Sequence, residues 1–202
     1  MFFSFDGIDG VGKTTQMQLF HEWLVAEGHD VVSCRDPGST RLGERVREIV
    51  LKSDESTPIS ARSEMLLYMA ARAQLVEEVI RPAAVAGKVI ISDRYLLSNI
   101  VYQGYAGGLA LPEIREVGCV ATGGLMPDCV FLLDMAPSEA RERMGSDLDR
   151  IEQRGEEYRE KLRAGFLAEA QVMGNSVRVI DAGRSIDAVQ SELRSVASEL
   201  LS

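Results

Sequence analysis

The sequence predicts an α/β fold, a five-stranded parallel sheet covered by helices on both faces, and three observations carry that reading. Short β-prone runs alternate with stretches of helical period along the whole chain, which is the pattern that crossover-connected parallel strands produce. The first apolar run, Phe2, Phe3 and Phe5, leads directly into a glycine-rich turn and then an amphipathic segment. That turn, Gly7 to Thr14, reads GIDGVGKT. It matches every position of a phosphate-binding loop, in the strand-turn-helix setting where such a loop must sit.

The elements follow in order. Thr15 to Glu27 carries Met17, Leu19, Phe20, Trp23 and Leu24 at helical spacing and ends at Gly28, a C-terminal cap. Val31 to Cys34 is a second strand, about Leu42 to Leu51 a helix, and about Ala61 to Ile80 a long helix that stops before Pro82. Val89 to Ser92 reads as the third strand, Pro112 to Ala121 as a helix, Cys129 to Leu133 as the fourth strand and Val177 to Ile180 as the fifth. With no linker or low-complexity stretch to divide them, the 202 residues are expected to form a single domain.

Composition limits the partners. A formal charge of −9 argues against a broad nucleic-acid or anionic-membrane surface, since both demand many clustered Lys and Arg. No charged start precedes an apolar secretory segment and no apolar run approaches membrane-spanning length, so the chain reads as soluble and cytoplasmic. Cys34, Cys119 and Cys129 are too scattered for a metal-ligand motif and read as reduced, buried small hydrophobes. His21 and His29 form no catalytic pattern.

In the loop, the backbone amides of Gly7, Ile8, Asp9, Gly10, Val11 and Gly12 are expected to surround phosphate oxygens at a helix N-terminus. Lys13 would reach the β- and γ-phosphates, Thr14 would ligate Mg²⁺, and Thr15 is counted among the nucleotide-binding residues. Ligands of such sheets collect beyond the carboxyl ends of the strands. There the chain places Arg35, Asp36 and Pro37, then Asp93, Arg94 and Tyr95, then Asp134. Asp93 either reaches the Mg²⁺ shell or caps the next helix. The guanidinium of Arg94, directly after a buried strand, calls for a partner anion, either a bound phosphate, the favoured reading, or a structural salt bridge.

On the long helix, Met65, Met69, Arg72 and Val76 share one face, so Arg72 interrupts an apolar stripe, with Tyr68 one turn before it. The pair either stacks on and hydrogen-bonds a base, or consists of a core tyrosine and an arginine that snorkels to solvent. Between Glu139 and Arg154, Arg141, Arg143, Arg150 and Arg154 are interleaved with carboxylates, with Gly145 and Gly155 as hinge points. This reads as a flap over about residues 141–155 whose arginines stabilise charge in phosphoryl transfer, or as a solvated charged helix.

Taken together, the phosphate loop, the Arg35-Asp36-Pro37 turn, LLYMAARAQ from Leu66, SDRYLLSNIVYQG from Ser92 and LDRIEQ from Leu148 resemble the thymidylate kinases over nearly the whole chain. The resemblance implies a P-loop NTPase fold, a homodimer, and transfer of the γ-phosphoryl group of Mg-ATP to dTMP in dTTP biosynthesis. It implies that Lys13, Thr14 and the loop amides hold ATP, that Asp9 lies near the dTMP sugar, and that Arg47 and Arg94 hold the acceptor phosphate. Tyr68 takes the place of the aromatic on thymine and Arg72 that of the arginine on the base edge. Ser98, Asn99, Tyr102 and Gln103 belong to the acceptor pocket, Tyr102 opposing a ribose 2′-hydroxyl. The loop from Asp181 to Arg184, with Ala182 and Gly183, borders the adenine.

The chain also departs from the family pattern. Asp6 and Asp36 stand where the family has glutamate, which displaces carboxylate oxygens by about an angstrom or more, enough to matter for alignment. Gly10 stands where some members carry a catalytic arginine, so the flap must supply one, and Arg143 and Arg150 are the candidates. A kinase for AMP, GMP or dUMP would share the loop, but Tyr68 with Arg72 and the SNIVYQG run argue against it. A GTP-dependent switch would carry NKxD, which is absent, and the DxxG match lies inside the loop at Asp9 to Gly12. The LSGGQ signature of a transporter ATPase is absent too.

Overall fold

The computed structural model describes residues 1–52, 58–145 and 154–201. Strands β1 (Phe2–Asp6), β2 (Val31–Arg35), β3 (Val89–Asp93), β4 (Cys129–Asp134) and β5 (Val177–Asp181) form an all-parallel sheet in the order β2-β3-β1-β4-β5. Helices α1 (Lys13–Ala26), α2 (Arg41–Lys52), α3 (Ala61–Leu75), α4 (Arg81–Val85), α5 (Leu96–Asn99), α6 (Leu111–Thr122), α7 (Pro137–Arg143), α8 (Glu156–Met173) and α9 (Ile186–Leu201) surround it.

The alternation of β1 explains its central place. Phe3 and Phe5 face one side, where Phe20 of α1 meets Phe3 edge-on at 5.4 Å and Phe131 of β4 stacks on it at 5.5 Å. Phe2 faces the other side and meets Tyr95 at 5.2 Å. Both faces are therefore dry, and each buried ring contributes about 1.5–3 kcal/mol. A central β1 brings the loop that follows it to the middle of the sheet's carboxyl edge, flanked by the ends of β3 and β4.

Local signals end the helices. His29 N–H donates to Leu24 O and Gly28 N–H to Val25 O, the paired bonds of a Schellman motif that close α1. Ser60 caps α3 by accepting from Ser63 N–H at 3.2 Å.

Two expectations need correction. The long helix does not stop before Pro82: a π turn at Val76–Ile80 joins α3 to α4, which runs to Val85. Arg81 N–H bonds Val76 O five residues back, so Pro82, lacking an N–H, enters where the ladder has already changed register. Among the cysteines Cys34 and Cys129 are buried, but Cys119 is exposed, because α6 buries the neighbouring face of Ile114, Gly118, Ala121 and Thr122. The sequence reading also assigned no helix to α5 and the π turn that follows it, Ile100–Tyr105.

Candidate active site

Two cavities open on the carboxyl edge of the sheet. The first, of about 530 Å³ with its solvent-open mouth included, lies between the ends of β1 to β3 and helices α2, α3 and α5, and has Tyr68, Arg72, Asn99, Tyr102 and Gln103 in its walls. The second, of about 1600 Å³ and open to solvent, runs along the phosphate loop from Gly10 to Thr15 and past Arg143, Ala182 and Arg184. Asp9, Asp36, Arg47 and Arg94 belong to both. The cavities therefore meet at two guanidiniums.

The loop geometry follows from its glycines. Gly12 caps α1 with φ 93°, and α1 starts at Lys13 with its first amides facing the second cavity. At Gly10 a Cβ would lie 2.2 Å from Ala140 O, and φ is 89°. An arginine therefore cannot stand at position 10 while α7 packs there. Lys13 Nζ donates to Gly7 O at 3.1 Å and Ile8 O at 2.9 Å and lies 3.6 Å from Asp9 Oδ1. Burial and the nearby Arg94 lower its proton affinity.

Arg94 organises the junction. It has φ 66° in a left-handed conformation that a branched-chain or long residue adopts at a cost. Nη1 donates to Gly7 O at 2.9 Å and to Ser98 Oγ at 3.1 Å, Nη2 donates to Asp9 Oδ1, and the guanidinium lies 5.1 Å from the centre of the Tyr102 ring. Tyr102 Oη donates to Asp9 Oδ2 at 3.1 Å. Burial pushes the Asp9 carboxyl up, yet Arg94 and Lys13 outweigh it and hold Asp9 well below the usual carboxylate range. Burial and the charge of Arg35 lower Arg47, whose Nη1 donates to Pro37 O. Cations crowded in this way favour an anion between them.

Arg72 is 2% exposed and does not snorkel. Its Nε donates to Asp36 Oδ2 at 2.5 Å, Nη2 to Tyr95 O, and Nη1 to Met69 Sδ, which leaves N–H groups over on a residue that lines the first cavity. The shorter Asp36 carboxylate thus still reaches Arg72. Among the described residues, Asp36 Oδ1, Asp93 Oδ1 and Asn99 Oδ1 are buried without a hydrogen-bond partner, each in a residue that lines at least one of the two cavities. Buried orphan acceptors mark places where a ligand supplies donors or a cation.

Asp6, the other shortened carboxylate, is fully buried beneath the loop and accepts from Ser98 Oγ at 2.6 Å and Ser4 Oγ at 3.2 Å. Burial raises it above the ordinary aspartate range despite those bonds and the cations Arg94 and Lys13. A carboxyl raised by the fold contributes stability below its unfolded pKa of about 3.9 that is lost as pH rises through the folded value. Asp6→Asn, nearly isosteric and uncharged, should therefore match the parent at pH 4 and exceed its Tm as pH rises to 8, by about 2–4 °C per kcal/mol of relieved burial. Parallel melts across that range check this, and a Tm difference that stays flat or falls with pH would refute it.

The remaining rim residues divide. Arg143 Nη1 donates to Ala182 O at 3.2 Å and lines the second cavity. Gly183 turns the loop after β5, its N–H on Asp181 Oδ1. Asp134 is taken up by a two-pronged bond from Arg163, Tyr95 is buried with its hydroxyl on Leu125 O, and Arg141 turns to Gly145 O, so none of these three joins the site. Arg150 and most of the flap, residues 146–153, lie outside the described residues. Sequence reasoning missed Glu64, buried beside Gln103 and Arg154, although Glu64, Tyr68 and Arg72 share one helical face at intervals of four.

The chain was compared with known proteins. A family model described as thymidylate kinase matches residues 5–193. A thymidylate kinase of Caldanaerobacter subterraneus is 44% identical over 201 residues, covering 99% of this chain and 96% of the relative. One from Bifidobacterium longum is 43% identical over 202 residues, covering 99% and 98%. One from Exiguobacterium sibiricum is 41% identical over 194 residues, covering 95% and 91%.

Proposed function

As a member of the thymidylate kinase family, the chain phosphorylates dTMP in nucleotide biosynthesis with ATP as donor, and we propose that the two cavities hold acceptor and donor with their phosphates meeting at Arg94 and Arg47. The observation that carries this reading is the shared wall: the same two guanidiniums line both cavities. A phosphate oxygen is already an anionic nucleophile, so no general base is needed. The work of the site is alignment and charge neutralisation.

In this reading the loop amides and Lys13 hold the donor phosphates, and Ala182 and Gly183 border the adenine. Arg94 and Arg47 clamp the acceptor phosphate, while Asp9 and Tyr102 face its sugar. Tyr68 stacks on the base and Arg72 donates to its edge. Arg143, beside Ala182, is the described flap arginine nearest the donor side; Arg150 is the alternative. The Thr14 hydroxyl and the orphaned Asp93 oxygen are hard donors that fit Mg²⁺, which when bound neutralises charge on the donor phosphates.

A homodimer is part of the proposal. It is supported by exposed apolar side chains on adjacent helices, Leu42 and Ile49 on α2, Leu66 on α3 and Val120 on α6. A cytoplasmic location fits as well; among the described residues no helix is long and apolar enough to cross a membrane.

ADP release from Mg-ATP against dTMP, dUMP, dCMP, AMP and GMP, with a control lacking acceptor, tests the reading. dTMP should be preferred, dUMP slower by roughly 10- to 200-fold for the missing methyl, and the others close to background. Turnover on another monophosphate would overturn the base pocket, and acceptor-independent hydrolysis would favour a switch.

A further inference from the structure

Behind the base cavity, side chains from α3, α5, the following π turn and Arg154, just before α8, form a polar chain. Arg154 Nη2 lies 3.5 Å from Glu64 Oε2, Gln103 Nε2 donates to Glu64 Oε1 at 3.0 Å, and Asn99 Nδ2 donates to Gln103 Oε1 at 2.8 Å. Glu64, Gln103 and Asn99 are each buried. Asn99 Oδ1, at the far end, is one of the buried acceptors without a partner among the described residues.

The direction of this chain is not arbitrary. Each amide can turn over and exchange its donor for its acceptor, but a carboxylate paired with an arginine only accepts. Glu64 therefore requires Gln103 to present its NH₂ group. Gln103 must then accept from Asn99, which leaves the Asn99 oxygen as the acceptor available to the site.

From this geometry, which rests on the placing of the base in this cavity, we infer that Glu64 is a positioning residue that sets base preference by fixing the polarity of Gln103 and Asn99. Thymine and uracil carry an N3–H that matches an acceptor; cytosine carries an unprotonated N3 that does not. Glu64 touches no substrate and acts through two amides. Arg154, at the described end of the flap, fixes the start of the relay.

Glu64→Gln tests the relay because Arg154 still donates to the side-chain oxygen. The new NH₂ group then faces Gln103, both amides turn over, and Asn99 presents a donor to the base. The expected result is a fall in kcat/KM for dTMP on the order of 10²-fold, expressed in the KM for dTMP with the KM for ATP unchanged. dCMP should not fall in parallel, so the dTMP to dCMP ratio drops by about the same factor, although Arg72 keeps dCMP a poor substrate. Gln103→Leu cuts the relay and should lower the ratio as well. Adding Glu64→Gln to Gln103→Leu should then change nothing further, a non-additivity that a merely structural role would not give.

An unchanged ratio in folded Glu64→Gln, or in Gln103→Leu should the first variant fail to fold, overturns the inference, as do additive effects of the two. Arg72→Ala, run alongside, separates the failures. If it weakens dTMP while the ratio in Glu64→Gln stays fixed, the relay falls and the base pocket stands. If it also leaves dTMP untouched, the pocket itself falls.

Discussion

Lys13→Ala is expected to lower kcat by on the order of 10³ at saturating dTMP, with little change in thermal stability. Lys13 is 8% exposed, and its ammonium bonds Gly7 O and Ile8 O. Its folded-state pKa lies below the ordinary lysine value because burial and Arg94 outweigh Asp9, Asp93 and Asp6. Holding this cation therefore costs the fold stability, a cost fully present below the lowered folded pKa and gone once pH reaches the ordinary value of 10.5. Truncation relieves that cost and takes the lysine donor from Ile8 O, while Gly7 O keeps its bond from Arg94, opposing effects that should keep Tm within about 4 °C of the parent. What is lost is a desolvated positive charge proposed to lie along the donor phosphates. Steady-state ADP release together with a melt decides the matter. Near-normal kcat would remove the loop from the mechanism, and a collapse in Tm would make Lys13 a structural residue.

The sheet was legible because strands buried on both faces leave nearly continuous apolar runs, and Phe2 to Phe5, interrupted only by Ser4, and Cys129 to Leu133 are such runs. The site rim was legible for a related reason: polar residues directly after an apolar strand have few structural uses. Asp93 and Arg94 show this, whereas Asp134 is an exception, neutralised by Arg163 from α8, 29 positions away. The helix at Leu96–Asn99 was hidden because it spans four residues before passing into a π turn, and a periodicity of 3.6 cannot be read over that length. Arg72 left two readings open in the sequence, since its partner Asp36 is 36 positions distant and the pairing exists only once β2 lies beside β3. The same holds for Glu64 and Gln103, separated by 39 positions. The effect of shortening a glutamate to Asp36 also depended on the path of the turn after β2, which residue identity does not specify. The exclusion of arginine from position 10 came from the packing of α7 against the loop.

Arg94→Ala should lower kcat/KM for dTMP by on the order of 10³ or more, through kcat as well as KM, with a smaller change in the KM for ATP. The guanidinium lies where both cavities meet, so it is proposed to touch the acceptor phosphate in the ground state and the developing charge in transfer. Its bonds to Gly7 O, Ser98 and Asp9 fix that position before any ligand arrives. Against the cost of burial, Asp9 with Tyr102, Asp93 and Asp6 holds Arg94 protonated well above the ordinary range. The cation therefore persists at every pH at which the enzyme works. Arg94→Lys separates charge from geometry. A lysine keeps the charge and the same left-handed backbone at φ 66° but loses the planar fork, so it should recover less than a tenth of the parent kcat. Recovery to near the parent rate would mean that a point charge suffices and that the fork, with its bonds to Gly7, Ser98 and Asp9, positions nothing that the reaction uses.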